Sequence, residues 1–240
     1  MANTPPSGGN IAVDANGIYR RYGRRWALVN VGFQLERGAL LLVAGHNGSG
    51  KSTLFRVLAT AIRADRGTAH IEGSELRDYY EVRKKIALLG HYSYTYDSLS
   101  AFENLQIAAR LLGLDASRNA LLPVLDQVQL KKRADDPVAS FSAGMRKRIA
   151  FARVLLQDAP VVMLDEPYGQ LDPPGFRFVD ELLVTLKKKG TTVLMATHLI
   201  ERGAQVADYG ILLDHGRLAW SGRGADTPTT TELDAEGGGA

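Results

Sequence analysis

The chain has 240 residues, of which 45% are apolar and 23% are charged, the proportions of a folded globular protein. It contains no cysteine, which excludes a disulfide framework, a thiolate metal site and a cysteine nucleophile. The 29 basic and 26 acidic residues give a net charge of +3, which is too small an excess to indicate a nucleic-acid partner by itself.

The ends of the chain differ in composition from its middle. Residues 1–10 are rich in Pro, Gly, Ser and Asn and lack the pattern of a secretory signal, and residues 223–240 show no apolar periodicity. Such segments bury too little surface to offset the entropy of ordering, so we expect both to be flexible. No apolar run approaches the roughly 18 residues of a membrane span. We therefore expect one soluble, cytoplasmic domain over residues 11–222.

Apolar runs alternate with helical periodicity along this domain. Half-exposed strands are predicted at 11–22, 29–35 and 68–72, and a helix is predicted from 52 to about 62. Short, continuously apolar runs predict buried strands at 40–44, 86–89, 161–164 and 193–196. Strands separated by helices predict a mainly parallel sheet with helices on both faces, an α/β fold.

A stretch from about 98 to 156 is predicted to be helical. Ser100 and Glu103 have the spacing of a capping box, in which each side chain satisfies a backbone donor of the other. The helix that they open is expected to end at Gly113, and a second helix is expected over 119–130.

The clearest motif follows the apolar run at 40–44. Residues 45–53 read Gly-His-Asn-Gly-Ser-Gly-Lys-Ser-Thr, a full match to the phosphate-binding pattern G-x-x-x-x-G-K-[ST]. Its glycines let backbone N–H groups converge on phosphate oxygens at the positive end of the next helix. The lysine is expected to reach the β- and γ-phosphates, and the serine after it to bind Mg²⁺. We assign the whole loop to nucleotide binding: Gly45, His46, Asn47, Gly48, Ser49, Gly50, Lys51, Ser52 and Thr53.

A second motif closes the apolar run at 161–164 with two carboxylates. Asp165 is placed at the strand end, where it can hold the Mg²⁺ shell, and Glu166 is placed to polarise an attacking water as a general base.

With both motifs in place, the chain resembles the ATP-binding subunits of ABC transporters over about residues 11–222. Phe-Ser-Ala-Gly-Met at 141–145 occupies the family's signature position, with Ser142 and Gly144 matching its pattern. The resemblance implies a P-loop ATPase core with a mainly parallel sheet, an antiparallel β subdomain and a helical subdomain at about 98–156. It also implies ATP and Mg²⁺ as ligands.

The resemblance further implies the partners. In this family the signature of one subunit faces the phosphate loop of a second subunit in a head-to-tail dimer, so Ser142 and Gly144 are expected to contact ATP there. A chain without a pore is expected to dock onto separate transmembrane subunits at the cytoplasmic face of the cell membrane. Residues 146–148 are interpreted as a solvated basic helix face, with no nucleic-acid partner.

Individual family positions complete the predicted site. Tyr22 matches the aromatic residue that stacks on adenine, with Tyr19 as the competing choice. His198 matches the histidine that contacts the γ-phosphate and orients water, so the implied catalytic residues are Glu166, His198 and Lys51. His91 stands where the family usually has a glutamine near Mg²⁺, and a histidine can accept a hydrogen bond from metal-bound water.

The subfamily is predicted from fewer residues. Leu89-Gly90-His91 is similar to the ATP-binding subunits of heme exporters in cytochrome c biogenesis, which favours heme export. The alternatives are an exporter of the drug or polysaccharide type, a soluble switch ATPase and a non-catalytic regulator. The single phosphate loop disfavours the switch, and Glu166 with His198 disfavours the regulator. The tyrosines at 92–96 are interpreted as a partner's docking site or as a loop packed on the helical insert.

Overall fold

The computed structural model describes residues 10–90 and 94–228, and the statements below refer to these ranges. The strands are β1 (Ile11–Tyr22), β2 (Arg25–Glu36), β3 (Leu40–Ala44), β4 (Arg66–Ile71), β5 (Ser74–Glu75), β6 (Ile86–Leu89), β7 (Val161–Asp165), β8 (Thr192–Ala196), β9 (Tyr209–Asp214) and β10 (Arg217–Arg223). The helices are α1 (Lys51–Leu58), α2 (Tyr79–Lys85), α3 (Ala101–Leu111), α4 (Arg118–Gln127), α5 (Ala143–Gln157), α6 (Pro173–Lys188) and α7 (Ile200–Ala204).

The strands form two sheets. One is antiparallel with the order β2-β1-β4-β5, and the other has the order β10-β9-β3-β8-β7-β6. In the second sheet every pairing is parallel except that of β9 with β10. The predicted mainly parallel sheet, the antiparallel subdomain and the α/β class are therefore confirmed.

The central strands separate two apolar cores. Strands β3, β7 and β8 are buried along their whole length, as expected for parallel strands covered on both faces. Leu40 and Leu42 of β3 face a core shared with α3–α6, whereas Leu41 and Val43 face a core shared with α1 and the antiparallel sheet. Because successive side chains of β3 point to opposite faces of the sheet, this one strand contributes to both apolar cores.

The helical segment agrees with its predicted pattern. Ser100 and Glu103 form the capping box, and each side-chain oxygen accepts a backbone N–H of the other residue. Buried Asn104 accepts a hydrogen bond from the N–H of Tyr96 at 2.8 Å and donates to the Tyr96 carbonyl at 3.0 Å. This amide fixes the segment that leads into α3.

Two predicted boundaries are wrong. Helix α1 ends at Leu58 rather than near 62, because Thr60 takes a positive φ of 57° and is held by the guanidinium of Arg83. The chain is also structured beyond 222: β10 includes Arg223, and a 3₁₀ turn follows at Gly224–Asp226. The N–H of Gly224 donates to the Asp208 carbonyl at 3.0 Å. The predicted flexible segments at 1–9 and 229–240 lie outside the described residues.

The topology places the motifs together. The loops after β3, β7 and β8 leave the carboxyl ends of adjacent parallel strands, where ligands bind in open α/β sheets. Among the described helices, none is both long enough and apolar enough to cross a membrane.

Candidate functional site

The phosphate loop requires glycine at two tight positions. A Cβ on Gly45 would lie 2.3 Å from the Leu213 carbonyl oxygen, and one on Gly50 would lie 2.6 Å from the Ala27 carbonyl oxygen. Both glycines also have positive φ, at 142° and 112°. The loop therefore fits closely between β2 and the end of β9.

Lysine and helix dipole supply positive charge to this loop. Lys51 Nζ donates to the carbonyl oxygens of Gly45 at 2.7 Å and His46 at 3.0 Å. Burial lowers the pKa of Lys51, and the negative charges of Glu166 and Asp165 oppose that shift. Gly50 caps α1 without a side chain, so the first backbone N–H groups of α1 are available to an anion. The exposed Ser52 lies in this first turn.

The carboxylates lie where the second motif predicted them. Asp165 ends β7 and is 5% exposed. Glu166 follows with a positive φ of 51°, and its N–H donates to the Ala196 carbonyl at 2.8 Å. This hydrogen bond connects the acid to the end of β8, from which the loop with Thr197 and His198 continues.

Glu166 and His198 are in direct contact. Nδ1 of His198 lies 2.8 Å from Oε2 of Glu166, and Thr197 Oγ1 lies 3.3 Å from the same oxygen. An ionised carboxylate only accepts hydrogen bonds, so Nδ1 is the donor. The Glu166 side chain is 15% exposed and that of His198 is 59% exposed. The predicted base and the predicted histidine thus form one hydrogen-bonded unit.

Lys147 was missed as a site residue, and its prediction as part of a solvated face is wrong. It is 6% exposed, and its Nζ donates to the Glu166 carbonyl oxygen at 3.0 Å. Burial lowers the pKa of Lys147, while the charges of Asp165 and Glu166 oppose the shift. Arg148 is also half-buried, with its guanidinium 4.5 Å from the Phe178 ring centroid. No local signal in the sequence separates these residues from a solvated helix face.

The aromatic residues of the β1–β2 hairpin differ in exposure. Tyr22 is 46% exposed beside the Arg20 guanidinium, which lies 5.1 Å from its ring centroid. Tyr19, the competing choice for adenine, packs edge-on against Trp26 with ring centroids 5.8 Å apart. The geometry favours Tyr22 as the ring that is available for stacking.

The signature segment lies at the start of α5. Ser142 is the exposed N-cap, and its Oγ accepts the Met145 N–H at 3.3 Å. A Cβ on Gly144 would lie 3.5 Å from Leu171 Cδ2, so this turn contacts the loop that follows Glu166. His91 lies outside the described residues; the strand predicted before it, at 86–89, is present as β6 and pairs with β7.

Comparison with known proteins identifies the family. Residues 28–169 match the family described as ABC transporter. The daunorubicin resistance ATP-binding protein DrrA3 of Streptomyces coeruleorubidus is 36% identical and covers 95% of this chain and 71% of its own. The Nod factor export ATP-binding protein I of Ralstonia nicotianae is 31% identical and covers 91% and 69%. Among solved structures, cbiO1 from Clostridium perfringens, part of the cbiONQ transporter complex, has a TM-score of 0.80, 25% identity and coverage of 95% and 92%.

Proposed function

The chain belongs to the ABC transporter family and is an ATP hydrolase, and we propose that it powers an exporter of the drug type. Its relatives include proteins named for daunorubicin resistance, Nod factor export and lantibiotic transport. These names support an exporter of the drug or polysaccharide type, and they do not support heme export.

ATP hydrolysis is supported by the hydrogen-bonded pair of Glu166 and His198 beside the phosphate loop. Lys51 binds and orients the phosphates, with the N–H groups of α1. Glu166 accepts the proton of the attacking water, and the hydrogen bond from His198 holds that carboxylate in place.

The donor set fits Mg²⁺. The buried carboxylate of Asp165 and the hydroxyl of Ser52 are hard oxygen ligands, the kind that magnesium prefers. The charges of Asp165 and Glu166 both act on Lys51, so these groups share one site. When bound, the ion would neutralise charge on the β- and γ-phosphate oxygens. Ser52 and Asp165 would hold it.

The exposed signature supports a head-to-tail homodimer. Ser142 caps α5 at the surface, so the positive end of this helix is accessible to the nucleotide of a second subunit. Ser142 and Gly144 would then complete the site around the partner's ATP. Closure on ATP and opening after hydrolysis would transmit the energy of the cycle.

An apolar groove supports docking to transmembrane subunits at the cytoplasmic face of the membrane. The groove has a volume of about 370 Å³ and lies between β6 and helices α3 and α5. Leu111 on its rim is 82% exposed and Tyr94 is 72% exposed. Exposed apolar side chains around a concavity are typical of an interaction surface.

Co-purification from detergent-solubilised membranes of the native host tests this proposal. We expect separate transmembrane subunits to co-purify with the wild-type chain, and Leu111→Glu to remove them. Leu114→Glu is the matched control, because Leu114 is exposed outside the groove.

The cargo is tested on the reconstituted complex. We expect an anthracycline such as daunorubicin to stimulate ATP hydrolysis, and heme to have no effect. If heme but not daunorubicin stimulated hydrolysis, the cargo would be heme. In the co-purification, recovery of the chain without membrane subunits would contradict the transporter role.

A further inference from the structure

Two histidines and an aspartate meet at the outer edge of the phosphate loop. Nε2 of His46 lies 3.1 Å from Oδ1 of Asp214, and Nε2 of His215 lies 3.8 Å from the same oxygen. The ligating atoms of the three residues all lie within 4.8 Å of one another. The side chain of His46 is 41% exposed, that of Asp214 is 47% exposed and that of His215 is 79% exposed. The nucleotide chemistry described above uses neither Asp214 nor His215.

Both ring nitrogens of His46 face oxygen atoms that accept hydrogen bonds. Nδ1 lies 2.7 Å from the Asn47 carbonyl oxygen, which only accepts, so Nδ1 carries a hydrogen. Nε2 then faces the Asp214 carboxylate, which also only accepts. A cation placed between Nε2 and the carboxylate can bind both atoms, since each offers it a lone pair. A hydrogen bond from Nδ1 to a backbone carbonyl is also how metal-binding histidines are commonly oriented.

We propose that His46, Asp214 and His215 form a binding site for a divalent transition-metal ion such as Zn²⁺. Two imidazole nitrogens and a carboxylate oxygen suit Zn²⁺, Ni²⁺ or Cu²⁺ better than Mg²⁺. Tetrahedral zinc with ligands at about 2.0–2.1 Å separates them by roughly 3.3 Å, so the three atoms need only small side-chain movements to bind the ion. This set shares no residue with the Ser52 and Asp165 pair.

A metal here would join the phosphate loop to the β9–β10 turn. The backbone already links them, because the N–H of Gly216 donates to the Ser49 carbonyl at 2.9 Å. The carbonyl of His46 also accepts a hydrogen bond from Lys51. A metal on the His46 ring therefore restrains the part of the loop that positions the lysine, and a ligand of the folded state raises the melting temperature.

The test is a Zn²⁺ titration of tag-free, nucleotide-free protein by calorimetry, because tags and ATP bind zinc themselves. The variants are Asp214→Asn and His215→Asn; asparagine tolerates the positive φ of 42° at position 215. His70→Asn on β4 is the matched control. We expect the affinity to fall at least about tenfold in both site variants. We also expect it to be unchanged in the control, and Zn²⁺ to raise the melting temperature of the wild type.

Histidine ring NMR makes the result specific to these residues. We expect Zn²⁺ to shift the ring signals of His46 and His215 in the wild-type chain, whether or not a variant folds. Equal affinity in the wild type and both site variants, or shifts confined to His198, would overturn the proposal. So would the absence of binding at millimolar Zn²⁺.

Discussion

Replacing Lys147 by methionine tests whether a buried amine positions the general base. Methionine keeps an unbranched apolar side chain of similar length but removes the ammonium that donates to the Glu166 carbonyl at 3.0 Å. That carbonyl retains the Gly169 N–H at 3.1 Å, so the acceptor is not left unpaired. The lost bond is charge-assisted and worth about 1.5–3 kcal/mol, and relief of the buried charge offsets part of it.

The expected loss of stability is therefore about 1–2 kcal/mol, or a fall of roughly 2–8 °C in melting temperature for a chain of this size. The effect of Lys147→Met on kcat should exceed its effect on the free energy of unfolding. Glu166 holds a left-handed backbone conformation, and a shift of about 1 Å in a reacting group can cost roughly 100-fold in rate. We expect kcat for ATP to fall by about 10- to 100-fold with little change in KM.

The assay is steady-state ATP hydrolysis with calorimetric melting of the same preparations. Lys132→Met is the control, because it removes an exposed lysine of the helical segment. A Lys147→Met protein with wild-type kcat would refute the positioning role. If Lys147→Met instead raised the KM for ATP and left kcat unchanged, the lysine would be assigned to nucleotide binding.

Three further predictions concern single side chains. Tyr22→Ala should raise the KM for ATP by about 2- to 13-fold, since ring stacking contributes about 0.5–1.5 kcal/mol, whereas Tyr22→Phe should retain the wild-type KM; equal KM values in both variants would contradict adenine stacking. Gly50→Ala should lower stability by about 1–3 kcal/mol in a melting experiment, because its Cβ would lie 2.6 Å from the Ala27 oxygen. Burial and the hydrogen bond to Asp180 raise the pKa of Tyr168. Just above pH 10 its hydroxyl therefore ionises in the unfolded chain but not in the folded one, so the free energy of unfolding of the wild type falls as the pH rises. Tyr168→Phe should be about 1 kcal/mol less stable at neutral pH, and denaturant titrations should show this gap narrowing above pH 10.

The contiguous motifs could be predicted because their chemistry depends on local order. Strand β3 and the phosphate loop form one continuous segment, as do β7 and the Asp165–Glu166 pair. Buried parallel strands have a simple apolar signature, and glycine spacing reports the backbone conformation that phosphates need. The Ser100 capping box has the same local character.

The features that sequence analysis missed depend on packing between distant segments. Lys147 is buried because α5 lies against the loop after β7, which no periodicity within α5 reveals. Strand β9 was not predicted, and its parallel pairing with β3 brings Asp214 to His46 across 168 positions. Gly224 is ordered through backbone contact with Ala207 and Asp208, which leaves no apolar pattern.

ATP hydrolysis by Glu166→Gln decides whether the Glu166 carboxylate is the general base. Glutamine keeps the shape of the side chain and its contact to His198 but cannot accept the proton of the attacking water. We expect ATP and Mg²⁺ to bind as in the wild type, hydrolysis to fall by at least about 100-fold, and light scattering to show a stable ATP-bound dimer. Wild-type hydrolysis by Glu166→Gln would rule out Glu166 as the general base, and a monomer at saturating ATP would rule out the ATP-bound dimer.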